Sequence, residues 1–230
     1  MTDYTSQFPK LPADVKQMLE EYNYTKIPES YKKTYENKFK NFDASNANEL
    51  SKEDPEVFAY FHFGKRFRLH QSYICSIFVN LLDKGKVLFA LCLARQLGKS
   101  IYGCLLLIWM CWYNKIPVTI AKITPWYVVS RDDETAMEFL EKVRSILWEG
   151  DKHMVQFTGD EKFFTGSLKE PNNAHQITFL NGCFIKSVPP TKKALGKSGH
   201  LWIDEAHRLN CTDCTPEQFF TYAVATNCRS

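Results

Sequence analysis

The chain lacks the features that would carry it across or into a bilayer. Its first residues, MTDYTSQFPK, contain no apolar core of a secretory signal. The apolar stretch from Ile101 to Tyr113 would make only about 20 Å of helix, too short for a bilayer crossing, so no membrane partner is expected. Charge of one sign is also missing: 29 basic against 26 acidic residues leave a net +3, too little by itself to argue for nucleic acid. Eight cysteines without a secretory signal read as reduced thiols in a cytosol, and Cys75, Cys92, Cys104 and Cys111 lie in apolar runs where cysteine acts as a small hydrophobe. A second zinc knuckle is absent as well. His207, Cys211, Cys214 and Cys228 form one H-x3-C-x2-C with a later cysteine, which leaves zinc coordination and free thiols both open.

What is present is a chain of 230 residues with an ordinary globular mixture, 44% hydrophobic and 24% charged, long enough to bury a sizeable core. It is organised around residues 86–113. Val87 to Ala94 is an almost uninterrupted apolar run of the kind a strand covered on both faces shows. Gly98-Lys99-Ser100 follows, and then the apolar run from Ile101 that suits a helix packed into a core. A strand, a GKS loop and a helix bind phosphate, because backbone N–H groups and the helix dipole at the N-terminus both favour an anion. The segment Arg95-Gln96-Leu97-Gly98-Lys99-Ser100 is therefore the candidate nucleotide-binding loop, with Lys99 reaching the outer phosphates and the Ser100 hydroxyl on Mg²⁺. Leu93 departs from the Walker A pattern, which has glycine there. A second GKS, Gly196-Lys197-Ser198, follows a Pro/Lys-rich loop and runs into a strand instead of a helix, so it reads as a chance match.

Residues 1–55 read as an N-terminal helical arm, with weak helical periodicity at Ala13–Tyr22 and Asp54-Pro55 closing it; residues 56–230 form the main domain. After the aromatic-rich Glu56 to Gly64, the spacing of Ile74, Ile77, Phe78, Leu81 and Leu82 predicts an amphipathic helix ending near Gly85. Pro125 to Ser130 reads as a strand. A helix then starts at Asp132/Asp133, with Ala136, Phe139, Leu140, Val143, Ile146 and Leu147 on its core face and Gly150 as its stop. Residues 151–175 read as a surface excursion. Ile177–Leu180, Asn181-Gly182 and Cys183–Val188 predict a hairpin whose Asn-Gly supplies positive φ angles. His200–Ile203 reads as a third buried strand, and the alternation implies an α/β fold with a mainly parallel sheet flanked by helices.

That last strand, in LWIDEAH, delivers Asp204 and Glu205 to the sheet end where ligands of open α/β sheets bind. Asp204 would hold the Mg²⁺ shell and Glu205 would orient and deprotonate the attacking water. On these residues the chain reads as a Mg²⁺-dependent P-loop NTPase.

ARQLGKS, the segment DPEVFAYFHFGKRFRLHQ and the hairpin followed by a Gly-containing loop before LWIDEAH together resemble the large terminase subunits that pump DNA into the proheads of tailed bacteriophages and related archaeal viruses; the likeness covers roughly residues 54–230. That family's Walker A also lacks the first glycine. The resemblance implies an ASCE-type P-loop fold and an ATP-driven translocase of double-stranded DNA. It further implies a homo-oligomeric ring, a portal protein and a small terminase subunit as partners, and the cytoplasm of an infected host cell as location. By the same resemblance Gln71 matches an adenine-reading glutamine, and Arg95 matches an arginine that stabilises the γ-phosphate in the transition state. Both keep an alternative, Gln71 as a helix-surface residue and Arg95 as the partner of Asp204 or Glu205 in an empty site. His207 departs from the family pattern. DEAH equally suits a superfamily-two helicase, although its Walker A is glycine-rich, and a scaffold that binds nucleotide without turnover is the third reading. The family places a coupling strand beyond the helix expected at Thr215–Ala225, so the sheet is expected to lack that strand, and the nuclease domain with it. Lys192, Lys193 and Lys197 are either DNA-phosphate contacts or a solvated basic loop.

Overall fold

The structure, a computed structural model, describes residues 27–39, 46–83, 98–117, 122–169, 173–191 and 199–220. The chain divides into Met1–Asn41 and Phe42–Ser230. In the first unit the described element is helix α1, Glu29–Asn37, with Glu29 and Lys32 paired across one turn and no buried residue. The periodicity at Ala13–Tyr22, the expected strand Val87–Ala94 and the second GKS at 196–198 lie outside the described residues.

The second unit begins before the expected boundary at residue 55, because Asp54-Pro55 starts a helix instead of closing an arm. Helix α2 (Ala47–Glu53) packs on α3 (Pro55–Phe63). Asp54 caps α3, its Oδ1 accepting from the N–H groups of Glu56 at 2.8 Å and Val57 at 3.3 Å, with Pro55 preset for the first turn. Gly64 ends the helix in the left-handed conformation. α4 (Leu69–Asp83) follows with Ile74, Ile77, Phe78 and Leu81 buried, and α5 (Lys99–Trp112) is buried from Tyr102 to Cys111.

Four strands form one sheet in the order β2-β3-β1-β4: β1 (Pro125–Val129), β2 (Gln176–Thr178), β3 (Phe184–Ser187) and β4 (His200–Ile203). β1 runs parallel to both β3 and β4, and β2 pairs antiparallel with β3. The sheet is therefore mixed and mostly parallel. Alternation sends side chains to two cores: Trp126, Val128 and Trp202 face α5 and α6 (Asp133–Thr158), while Tyr127, Val129, Leu201 and Ile203 face Leu209 and Phe219. All four residues of β4 are only half-buried, a correction to the buried strand read from their apolarity. Among the described residues β4 pairs on one side only, with β1.

Helix α6 carries the predicted core face, each of its six residues buried, but it does not stop at Gly150. It runs to Thr158 and ends at Gly159, which adopts φ +73°. Gly150 is there for close approach: a Cβ would meet Phe63 at 2.5 Å and Phe164 at 2.8 Å. The supposed surface excursion begins as this helix, with Asp151 and Met154 buried. The Asp151 carboxylate accepts from Phe164 N–H at 2.5 Å and from the Thr165 hydroxyl at 2.5 Å, which fastens the 3-10 turn Thr165–Ser167 to α6. In the β2–β3 hairpin only Gly182 has positive φ, +88°; Asn181 does not, so the turn is not the two-residue type its Asn-Gly suggested. Asn181 instead donates to the carbonyls of Cys111 at 2.8 Å and Trp112 at 3.2 Å, satisfying the last turn of α5.

His62 sits in the aromatic cluster of Phe58, Phe61, Phe163 and Phe164, and its Nδ1 has no hydrogen-bond partner among the described residues. Burial, and secondarily the charge of His153, pulls its pKa from 6.5 down to about 4. The unfolded chain then binds the proton more readily, so this contribution to stability is present above pH 6.5 and is lost as the pH falls toward 4, up to roughly 3 kcal/mol. Urea unfolding of wild type and His62→Phe at pH 7 and at pH 4.5 should show a steeper acid loss in wild type; parallel losses would show that His62 does not titrate this way.

Candidate nucleotide site

The parallel strands β1, β3 and β4 end on the same side of the sheet, and there the chain delivers its charged residues. β4 is anchored at its start by His200, whose Nε2 lies 2.6 Å from the Ile116 carbonyl, and continued at its end by the Asp204 N–H, which donates to the Val129 carbonyl at 2.8 Å. Asp204 and Glu205 are half-buried. Glu205 takes φ +49°, a left-handed backbone that a non-glycine residue adopts at a cost. It opens the 3-10 turn Ala206–Arg208, and the Arg208 guanidinium stands 4.0 Å from its carboxylate. The strain turns the chain sharply enough to set two successive carboxylates at the strand end.

On the other side of the site, Gly98 adopts φ +74° and Lys99 is the first residue of α5, followed by Ser100, both half-buried. A Cβ on Gly98 would sit 2.9 Å from Gln71 Nε2, so this glycine lets the Gln71 amide lie against the loop. Arg95, Gln96 and Leu97, as well as Lys192, Lys193 and Lys197, lie outside the described residues. The two halves meet electrostatically. Burial, and with it the neighbouring Glu205 charge, pushes the Asp204 carboxyl above its ordinary value, while the hydrogen bond at the Glu205 backbone and the charges of Lys99 and Lys142 pull it back. The GKS lysine, about 100 residues earlier in sequence, is thus one of the charges that bear on the first DEAH carboxylate.

Gln71 occupies the third position of α4, and its Oε1 accepts from the Arg68 N–H at 2.8 Å, the reciprocal half of a capping box. The helix-surface reading of this residue is therefore true as far as it goes. Beside it lies a cavity of about 240 Å³ lined by Lys65, Arg66, Phe67, Gln71, Ile101, Tyr102 and Leu105. The Phe67 and Tyr102 rings meet edge-on at 5.1 Å. Its lining combines aromatic and aliphatic side chains with one amide and two cations, beside Gly98 at the start of α5.

Sequence reasoning did not single out Lys142, Arg131 or Ser130. Lys142 is exposed on α6, and its charge bears on Asp204, on another element some sixty residues later, as no pattern within the helix could foretell. Arg131, paired with Asp132 at 2.7 Å and drawn also toward Glu205, follows β1 where periodicity carries no signal. The Ser130 hydroxyl is fully buried at the end of β1 and has no hydrogen-bond partner among the described residues.

Ser100 and Asp204 offer a hydroxyl and one carboxylate, the hard and sparse donor set that suits Mg²⁺ shared with water and phosphate oxygens. Among the described residues no group of three His, Cys, Asp or Glu could hold a metal, and no helix is long and apolar enough to cross a membrane. The side chain of His207 and residue Cys228 lie outside the described set, so the zinc alternative does not advance. No family model, curated protein or solved structure matches the chain.

Proposed function

We propose that the chain is a Mg²⁺-dependent P-loop ATPase, the motor region of a terminase large subunit that drives double-stranded DNA into a prohead. The ATPase reading is supported by Gly98-Lys99 at a helix start and Asp204-Glu205 at the end of a parallel strand, with the Lys99 charge opposing the burial that raises the Asp204 carboxyl. Mg²⁺, when bound, would neutralise charge on the phosphates. Around it, Lys99 holds the outer phosphates, Ser100 and Asp204 supply oxygen donors, and Glu205 orients the water and takes its proton. Arg95 is assigned the transition-state contact by the resemblance alone. The DNA, the ring, the portal protein and the small subunit also rest on the resemblance, as does the host cytoplasm.

The base pocket supports ATP as the nucleotide. The Gln71 side chain, whose carbonyl oxygen accepts from the Arg68 N–H, is an amide, the group whose donor and acceptor together match the edge of adenine. Steady-state hydrolysis of ATP and GTP with Mg²⁺, with and without double-stranded DNA, tests the whole reading. ATP turnover stimulated by DNA is expected, and Gln71→Ala should erase the preference for ATP while keeping GTP turnover. Binding of ATP without turnover would leave a nucleotide-dependent scaffold instead. Equal loss for both nucleotides in Gln71→Ala would reduce Gln71 to its capping role.

A further inference from the structure

Ser130 follows β1 directly, is fully buried, and its hydroxyl has no hydrogen-bond partner among the described residues. A buried hydroxyl left in that state costs stability, so the reason for keeping it has to be sought among its neighbours. The β1–β4 register names one. Val128 pairs with Trp202 and Val129 with Ile203, and the Asp204 N–H donates to the Val129 carbonyl at 2.8 Å, which carries the ladder one step further. The next pair in that register is Ser130 with Asp204. Paired residues of neighbouring strands stand about 5 Å apart on one face of the sheet. Alternation puts this pair on the face of Val128 and Trp202, which packs on α5 and α6. Charge points to the same face for Asp204: Lys99 at the start of α5 and Lys142 on α6 bear on it, and its own charge bears on the buried Cys104 of α5.

We propose that Ser130 is a positioning residue for Asp204, its hydroxyl donating to this carboxylate in the nucleotide-loaded protein and so orienting it toward Mg²⁺. The proposal rests on the P-loop reading, which assigns Asp204 to the metal. A carboxylate that ligates a metal is held in place by hydrogen bonds from groups behind it, and those outer partners set metal affinity nearly as much as the ligands do. Serine suits the task. Rotation about a single side-chain bond moves its oxygen between staggered positions without moving the backbone, and its one O–H is the donor that an ionised carboxylate, an acceptor only, can use. Alanine would fill the same buried position without that donor.

The test titrates Mn²⁺, followed by electron paramagnetic resonance, into the full chain holding adenylyl imidodiphosphate, a nucleotide that is not hydrolysed. Ser130→Ala is expected to weaken Mn²⁺ binding about 10- to 100-fold, the usual scale for loss of an outer-shell partner, and to raise the half-saturating Mg²⁺ for ATP hydrolysis by a similar factor. Its urea midpoint without nucleotide should equal or exceed that of wild type, because a methyl group replaces a hydroxyl that has no partner there. Asp204→Asn should lose most of the Mn²⁺ binding, and adding Ser130→Ala to it should cost nothing further. Wild-type Mn²⁺ affinity in Ser130→Ala beside a loss in Asp204→Asn would overturn this proposal and leave the P-loop reading standing. Wild-type affinity in both variants would overturn both. A lower urea midpoint accompanying the weaker Mn²⁺ binding, or an equal loss in the Asp204→Asn background, would make Ser130 a packing residue and overturn its positioning role.

Discussion

Glu205→Gln is expected to lower the maximal rate of ATP hydrolysis on the order of a thousandfold while leaving nucleotide affinity within a few-fold of wild type. Glutamine has the same length and can occupy the left-handed position at φ +49° at similar cost, so the fold of the turn should persist. What it loses is the capacity to accept a proton in the transition state, a loss that appears in kcat and not in binding. Lys99→Ala should behave differently, weakening both affinity and turnover, because in the proposed role the ammonium group would face phosphate charge in the ground state and the transition state alike. It should also let the Asp204 pKa rise further, since Lys99 is one of the charges that holds it down. Single-turnover hydrolysis and equilibrium binding of a fluorescent ATP analogue separate the two. An unchanged rate in Glu205→Gln would remove this carboxylate from the base role, and unchanged affinity in Lys99→Ala would remove Lys99 from the phosphates.

Gly103→Ala is expected to destabilise the fold by about 1–3 kcal/mol, although alanine in a helix interior should by propensity add about 1 kcal/mol of stability. The new Cβ would lie 2.5 Å from Trp202 Cζ2 and 3.1 Å from Cη2, and the indole is itself held between Trp126 and Phe139. Either α5 or β4 has to move. Lys99 begins that helix four residues earlier and Asp204 lies two residues beyond Trp202, so the strain is felt at the candidate site as well. Urea denaturation should show the loss, and Trp202→Phe, which removes the ring that clashes, should recover most of it in the double variant. A Gly103→Ala chain more stable than wild type would mean that α5 and β4 are not packed this tightly.

Much of the fold was legible because its signals are local. The core face of α6 was read residue by residue, since a 3.6-residue period in an amphipathic helix survives wherever the helix packs. β1 and the hairpin strands were legible from short apolar runs between turn residues. The errors share a cause. Gly150 looks like a helix stop by propensity, yet it is a contact point for Phe63 and Phe164, and only the neighbours reveal that. Asp54-Pro55 reads as the close of an arm, yet the same two residues are an N-cap and a first-turn proline.

By itself the sequence determined the α/β alternation, the GKS at the start of an apolar helix and the carboxylate pair at the end of an apolar strand, because each is a matter of residue type and spacing within one element. Only the tertiary structure brings the Gln71 amide against Gly98, and only there do the charges of Lys99 and Lys142 bear on Asp204 and that of Glu205 on Arg131. It also decided that the β4 residues, though apolar, are half-buried. The physical reason is that Coulomb and packing interactions depend on distance in space, and distance between residues on different elements is set by how the sheet orders its strands and how helices cross it.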